Sequence, residues 1–319
     1  MKRVMRYVVA VGAVAACLAG GAVHGADAPA GRITISGAWA LYPMVVKWSE
    51  EYRKINPGVR IDISAGGAGK GMADALGGAV DLGMVSRDVV QAEVKKGAWW
   101  IPVVKDAVVP TANAGNPLIA KLMARGVKRS EFAGMFRTNT VATWSQLTGD
   151  AKAVALHVYT RSDACGAAET WAKYLGCNQE DLEGTAVYGD PGLAEAVRSD
   201  TLAVGYNNIG FAYDQASKRP VKGIAVLPID LNDDGRIGTN EDFYATMDEI
   251  TRAIADGRYP APPARDLNLV AKGCPANPAV VDFLRWILTD GQKYVAEAGY
   301  IGLTGEKLAG ALEKIGGTR

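Results

Sequence analysis

From residue 33 onward the apolar positions follow two alternating rhythms. Three short runs place an apolar residue at every second position: ITIS (33–36), RIDIS (60–64) and VDLGMVS (80–86). Each leads into a turn of small residues and then into a stretch with apolar residues three or four apart. After the first run these are Leu41, Val45, Trp48, Tyr52 and Ile55; the second such stretch covers 69–77, and a third follows Arg87. A period of two is that of a half-buried strand, and a period near 3.6 is that of an amphipathic helix.

A second series has the same alternation. VVPTANAGNP (108–117) precedes helical stretches near 118–125 and 130–136, while VALHVYT (154–160), LAVGYNN (202–208) and IAVLPID (224–230) read as strands. Beyond the proline cluster YPAPPAR (259–265), DLNLVA is strand-like. Residues 279–298 then predict an amphipathic helix, with Val280, Phe283, Leu284, Ile287 and Leu288 on one face. Strands alternating with helices predict an α/β fold with a largely parallel sheet. In such sheets ligands sit beyond the carboxyl ends of the strands, where the glycine-rich turns lie. The order suits two α/β lobes with two crossings, 27–108 plus 261–319 forming the first and 109–260 the second. The ligand cleft is then expected between them.

The 319-residue chain is long enough for such a pair of cores. Its first segment stands apart from the fold. MKRVMR is basic, YVVAVGAVAACLAGGA is apolar and AVHGADA supplies small residues for cleavage, which is the order of a signal peptide over 1–26. The apolar run is too short and too rich in Gly and Ala for a membrane span. Val14-Ala15-Ala16-Cys17 offers a competing lipobox that would tether the chain through Cys17. Cleavage near Ala26 removes Lys2, Arg3 and Arg6 and no acid, leaving 32 basic residues against 34 acidic. A near-neutral exported chain without a basic block has no electrostatic footprint for nucleic acid. Cys165, Cys177 and Cys274 remain. The first two flank one predicted helix, roughly 18 Å apart, too far for a disulfide.

TRSDACGAAETW (160–171) carries the first candidate chemistry, with Arg161, Cys165 and Gly166 just ahead of a helical run. Unpaired amides and a positive helix end favour a bound anion. A cysteine there could also be a nucleophile, but it would need a base. After cleavage the one remaining histidine is His157, in a strand eight residues upstream. Holding an anion is the better reading, and no enzyme is expected. AGGAGKGM (65–72) is not a P-loop, because Ser64 and Gly71 stand where that pattern needs Gly and Ser or Thr. It is not a dinucleotide fingerprint either, since Met72 replaces the third glycine. A nest of amides around Gly69, with Lys70 adding charge, remains.

GAWALYPMVVKWSEEY, SAGGAGKGMADAL with VDLGMVSRD, and YTRSDACGAAETW together resemble the periplasmic phosphate-binding proteins of ABC importers. YPAPPARDLNLVAKG is similar to that family's second crossing between lobes. The resemblance implies a type II periplasmic binding protein that closes on an oxyanion and delivers it to a membrane permease. It also implies site residues. Leu41 stands where the family has a Thr hydroxyl, with the Tyr42 amide next to it. Ala68 replaces a Ser hydroxyl ahead of Gly69 and Lys70. Arg87, beside Ser86, aligns with the family's acidic residue. Arg161 is kept, and Cys165-Gly166-Ala167 stands for Ser-Gly-Thr. Each buried group left without its partner costs ~1–3 kcal/mol, so phosphate is expected to bind more weakly here. Arg87 with Arg161 favours a larger or more fully ionised anion, with Trp39 and Leu41 as an apolar wall.

DLNDDGRIGTNE (230–241) matches a calcium loop in register. Asp230, Asn232 and Asp234 take positions 1, 3 and 5, Gly235 the turn, Arg236 the backbone carbonyl at 7, Ile237 the apolar 8 and Glu241 the bidentate 12. A strand rather than a helix precedes it, so a lone structural Ca2+ is expected, with no cofactor for chemistry. Together these observations point to a monomeric, extracytoplasmic binder of a small anion working with an ABC permease. The competing readings are a sensor or scaffold of the same fold and a binder of an organic anion.

Overall fold

Helix α1 (Tyr42–Ile55) follows strand β1 (Gly31–Gly37) through a tight turn and shows how the pattern becomes packing. A proline in its first turn and Arg53 and Lys54 in its last suit the two ends of the helix dipole. Its Met44, Val45, Trp48 and Tyr52 are buried, and Trp48 Nε1 donates to the Gly291 carbonyl at 2.8 Å. Ile55, the last residue of the predicted stripe, is 59% exposed because the helix ends there. The structure is a computed structural model describing residues 30–316. The segment 1–26, with Cys17, lies outside the described residues.

The first lobe continues through β2 (Val59–Ala65), α2 (Ala68–Gly77), β3 (Leu82–Val85) and a short α3 (Gln91–Lys95). Strand β4 (Ala98–Asn113) is 16 residues long and runs into the second half of the molecule. There follow α4 (Ile119–Arg125), β5 (Val127–Lys128), α5 (Arg129–Phe136), α6 (Trp144–Thr148), β6 (His157–Arg161) and α7 (Gly166–Leu175). After these come β7 (Thr185–Val187), α8 (Gly189–Ser199), β8 (Ala203–Asn208), α9 (Ile209–Ala212), β9 (Ile224–Val226), β10 (Ile229–Asp230) and α10 (Met247–Ala255). Strand β11 (Ala264–Lys272) leads back, and α11 (Pro278–Leu288) and α12 (Gly305–Gly316) complete the first lobe.

The main sheet runs β2-β1-β3-β11-β4-β8-β6-β7, with β9 paired to β4. Pairing is parallel within each half (β2-β1-β3 and β8-β6-β7) and antiparallel through the centre, where β11 and β4 join the halves. The expectation of a largely parallel sheet therefore holds within each half. At the centre it gives way, because two long strands run in opposite directions between the lobes. Two hydrophobic cores result. One draws on residues between 33 and 104 and between 267 and 315; the other lies between 107 and 264, with Ile301. The α/β class is as the periodicity indicates. The predicted helix over 279–298 is shorter: α11 stops at Leu288, where Thr289 leaves helical geometry (φ −116°, ψ −98°). A 3-10 turn over Asp290–Tyr294 follows, so the apolar spacing continued past the end of the α-helix.

Candidate functional site

Three turns at strand ends meet between the two cores. The β2–α2 turn bends at Gly67, whose φ of +91° suits a residue without Cβ. This brings the Gly69 amide onto the Ala164 carbonyl, 3.1 Å away on the other lobe. The β6–α7 turn places Gly166 so close to the end of β3 that a Cβ there would lie 2.2 Å from the Ser86 carbonyl oxygen and 2.3 Å from its Oγ. A side chain at 166 would hold the lobes apart. The β1–α1 turn contributes Trp39, whose indole lies against Gly189 in the second lobe, with Nε1 buried and unpartnered. Three turns from two lobes thus converge, and the lobes are closed on one another.

The donors expected to face a ligand already have partners. The Tyr42 amide donates to the Ala38 and Trp39 carbonyls within its own turn, and Leu41 and Ala68 are wholly buried. Gly69 is engaged with Ala164, and the Lys70 ammonium is paired with Asp74 on its own helix. Arg87 makes a two-pronged contact with Glu93 (2.9 and 2.6 Å) and reaches Glu169 across the cleft at 3.0 Å. Burial holds the Glu169 carboxyl above its ordinary range. Ser86, Gly166 and Ala167 are buried at the meeting point of the lobes.

Arg161 shows the largest departure from expectation. Its side chain is fully buried, and three of its donors end on carboxylates of its own lobe. Nε and Nη2 bind Asp163 at 2.8 and 2.6 Å, and Nη1 binds Asp190 at 2.6 Å. Asn208 Nδ2 fixes the other Asp190 oxygen at 2.6 Å, and the Gly189 amide donates to Asp163. A guanidinium read as the ligand's main partner is thus matched twice over by internal negative charge. Arg265 extends the network. Its Nε donates to the Ser86 carbonyl at 2.8 Å, its Nη2 to Asn208 Oδ1, and Nη1 is buried without a partner. Asp106, its register partner on β4, faces it at 3.8 Å.

For the segment 160–171, geometry decides between holding an anion and nucleophilic attack. Cys165 caps α7, its Sγ accepting from the Ala168 amide at 3.4 Å. Burial pushes its thiol up to about 12, so it is no thiolate at neutral pH and a poor nucleophile. His157 pairs with Asp200 at 2.7 Å on a half-exposed surface rather than with the cysteine. Asp163 could have been found two residues after Arg161 on the same segment. Asp190, Asn208, Arg265 and Asp106 carried no local signal. What remains open of the cleft is a cavity of about 190 Å3 bordered by Arg87, Glu169, Lys173 and Arg265, and a second of about 440 Å3 sharing Arg87, Glu169 and Lys173. The acidic loop 230–241 lies apart from both, beyond β10, with its own surface hollow.

A family model described as a PBP superfamily domain matches residues 22–291. The phosphate-binding protein PstS of Bacillus subtilis is 29% identical over 205 residues, which span 63% of this chain and 65% of the relative. Protein SphX of Synechococcus elongatus is 24% identical over 304 residues, 92% of this chain and 83% of the relative. In three dimensions the chain resembles a putative phosphate ABC transporter substrate-binding protein from Clostridium perfringens, solved with bound phosphate. The TM-score is 0.71 at 19% identity, covering 86% of this chain and all of the other. That likeness shows the shared two-lobed fold.

Proposed function

The chain belongs to the PBP superfamily, and from that premise we propose that it is the extracytoplasmic binding component of an ABC importer, closing its two lobes on a small anion of the phosphate class. The observation that carries this reading is the meeting of the α2 and α7 N-termini with the end of β3 between the lobes, where Gly166 abuts Ser86 and Gly69 reaches Ala164. Relatives named as phosphate-binding proteins match 85%, 93% and 91% of this chain. The lobes as described are closed, so a ligand enters through an open form and is trapped as the turns come together. Closure stabilised by the ligand's contacts to both lobes is what a permease would recognise.

The local charge shapes the choice of anion. Two carboxylates already face Arg161, and Arg87 and Lys173 line the remaining cleft opposite Asp88 and Glu169. Both arginines are matched by carboxylates, so the ligand relies more on backbone amides in the first turn of α7 than on an unopposed guanidinium. The ligand's role there is to be held, and burial of the Cys165 thiol speaks against that cysteine attacking it. Residues 1–26 serve as the export signal, Cys17 tethering being the competing route, and the exported chain acts as a monomer. Among the described residues no helix is long and apolar enough to cross a membrane.

A thermal-shift panel on refolded, ligand-free protein tests the proposal, with phosphate, arsenate, sulfate and small carboxylates as ligands. A ligand at 100 times its Kd stabilises by about 2.7 kcal/mol, which is readily seen as a rise in Tm. Stabilisation by phosphate or another tetrahedral oxyanion is the expected result. No shift with any anion at millimolar concentration would overturn the reading.

A further inference from the structure

We propose that the loop Asp230–Glu241 is a Ca2+ site that braces the second lobe independently of the anion cleft. The sequence register is complete, and the fold places its two end carboxylates inside the loop. Asp230 and Glu241 are 2% and 6% exposed. One oxygen of Asp230 accepts the Gly235 amide at 2.8 Å, so that carboxylate is turned into the loop at its glycine bend. Its other oxygen, Oδ1, is buried with no hydrogen-bond partner. A buried carboxylate oxygen without a donor is costly unless a cation approaches it.

Glu241 comes in from the opposite end. Its Oε1 accepts the Leu231 amide at 2.7 Å and its Oε2 the Gly238 amide at 3.2 Å, which brings position 12 back to position 1. In the loop as it stands the acids have not yet come together: among the described residues no three His, Cys, Asp or Glu side chains are grouped to hold an ion. The set mixes Asp230, Asp234 and Glu241 with the Asn232 amide oxygen and the Arg236 carbonyl, the hard oxygen donors that Ca2+ prefers and gathers at 2.3–2.6 Å. On binding, Asp234 exchanges its present contacts with the Arg236 guanidinium and amide for the ion, and the Asn232 side-chain oxygen, now accepting the Asp234 amide, supplies a further donor.

The loop's surroundings say what the ion would do. The Ile237 amide donates to the Ala124 carbonyl at 2.9 Å, and the Lys128 ammonium reaches the Asp233 carbonyl, so the loop is clasped to the α4–β5 segment. β10, which enters the loop, pairs with β5 in the same place. A filled loop therefore locks the β10–β5 pair of the second lobe. A single loop without a partner hand belongs with the weaker sites, at a Kd of about 0.1–1 mM.

The test is Ca2+ titration by calorimetry on the EDTA-treated full-length exported chain, with Tm read alongside. One saturable Ca2+ per chain and a higher Tm are expected, with Mg2+ binding at least tenfold more weakly. Asp230→Asn and Glu241→Gln should each weaken Ca2+ tenfold or more. Asp233→Asn, at a non-ligand position whose left-handed φ of 62° asparagine tolerates, should bind as the parent does. Absence of saturable binding up to about 5 mM Ca2+, well above the expected range, overturns the proposal. So does Glu241→Gln binding like the parent, or Asp233→Asn losing as much as Glu241→Gln. Because anion binding is read separately, failure here leaves the transport reading standing.

Discussion

Asp190 lies 2.6 Å from Arg161 Nη1, although the two residues are 29 positions apart. The pair is buried and completed by Asp163, so Arg161 acts as much to tie turns together as to attract a ligand.

Asp190→Asn separates these roles. Removing one partner of a buried ion pair commonly costs about 3–5 kcal/mol, and the two bonds from Asp163 should hold the loss near the lower end. With one negative charge gone from the cleft, affinity for an oxyanion should rise about tenfold. Urea denaturation and calorimetry measure the two effects. Unchanged affinity would mean that Asp190 does not face the ligand.

Asp106 makes stability depend on pH. Burial raises its carboxyl from 3.8 to about 6, against the opposing pull of Arg265. A carboxyl raised in the folded state binds its proton more tightly there than when unfolded. Its contribution is complete below about pH 4 and is lost as pH rises through 6, by about 3 kcal/mol in all. Asp106→Asn should remove that component, so the difference in unfolding free energy between variant and parent should change between pH 4 and pH 7. A difference flat with pH would contradict the assignment.

Gly166→Ala tests closure directly. Its Cβ would press on the Ser86 carbonyl oxygen at 2.2 Å, a contact that exists when the lobes are together. Each lobe keeps its own core, so the variant should fold with little loss of Tm. Small-angle scattering should show a larger radius of gyration, and anion binding should fall more than tenfold. A variant that still binds and closes like the parent would show that the lobes meet differently in solution.

Cys165 should resist alkylation. Its thiol is buried and raised to about 12, whereas Cys177 is partly exposed. Iodoacetamide at about pH 8 should modify the partly exposed Cys177 and Cys274 before Cys165, as read by mass spectrometry, because reactivity follows thiolate and access. Cys165→Ser should stabilise α7 by about 0.5–1 kcal/mol through a better cap and return a hydroxyl to the site. A loss of stability would mean that packing of the sulfur outweighs capping.

The elements near the site are largely legible in the sequence. Gly67, Gly69 and Gly166 mark turns where backbone conformation or close approach excludes side chains, and local pattern reports such constraints directly. The helices starting at Tyr42 and Ala68 follow from apolar spacing and from what precedes them. The long β4 was not recognised as a single strand. Buried almost throughout on both faces, it lacks the alternation by which half-buried strands are found.

Charge assignments were the least legible. Lys70, read as a ligand contact, has a helical neighbour four residues away in Asp74, a local pairing the spacing allowed. Arg161 and Arg87 were identified as cations at the cleft, but their partners Asp190 and Glu169 are brought there by other turns and helices. Periodicity along a chain records which face of each element avoids water, and it determined the strands, helices and glycine turns of this protein. Which acid meets which arginine depends on the register of β4 against β11 and on how two lobes close. Those are long-range relations with no local periodic trace, and the tertiary structure alone decided them.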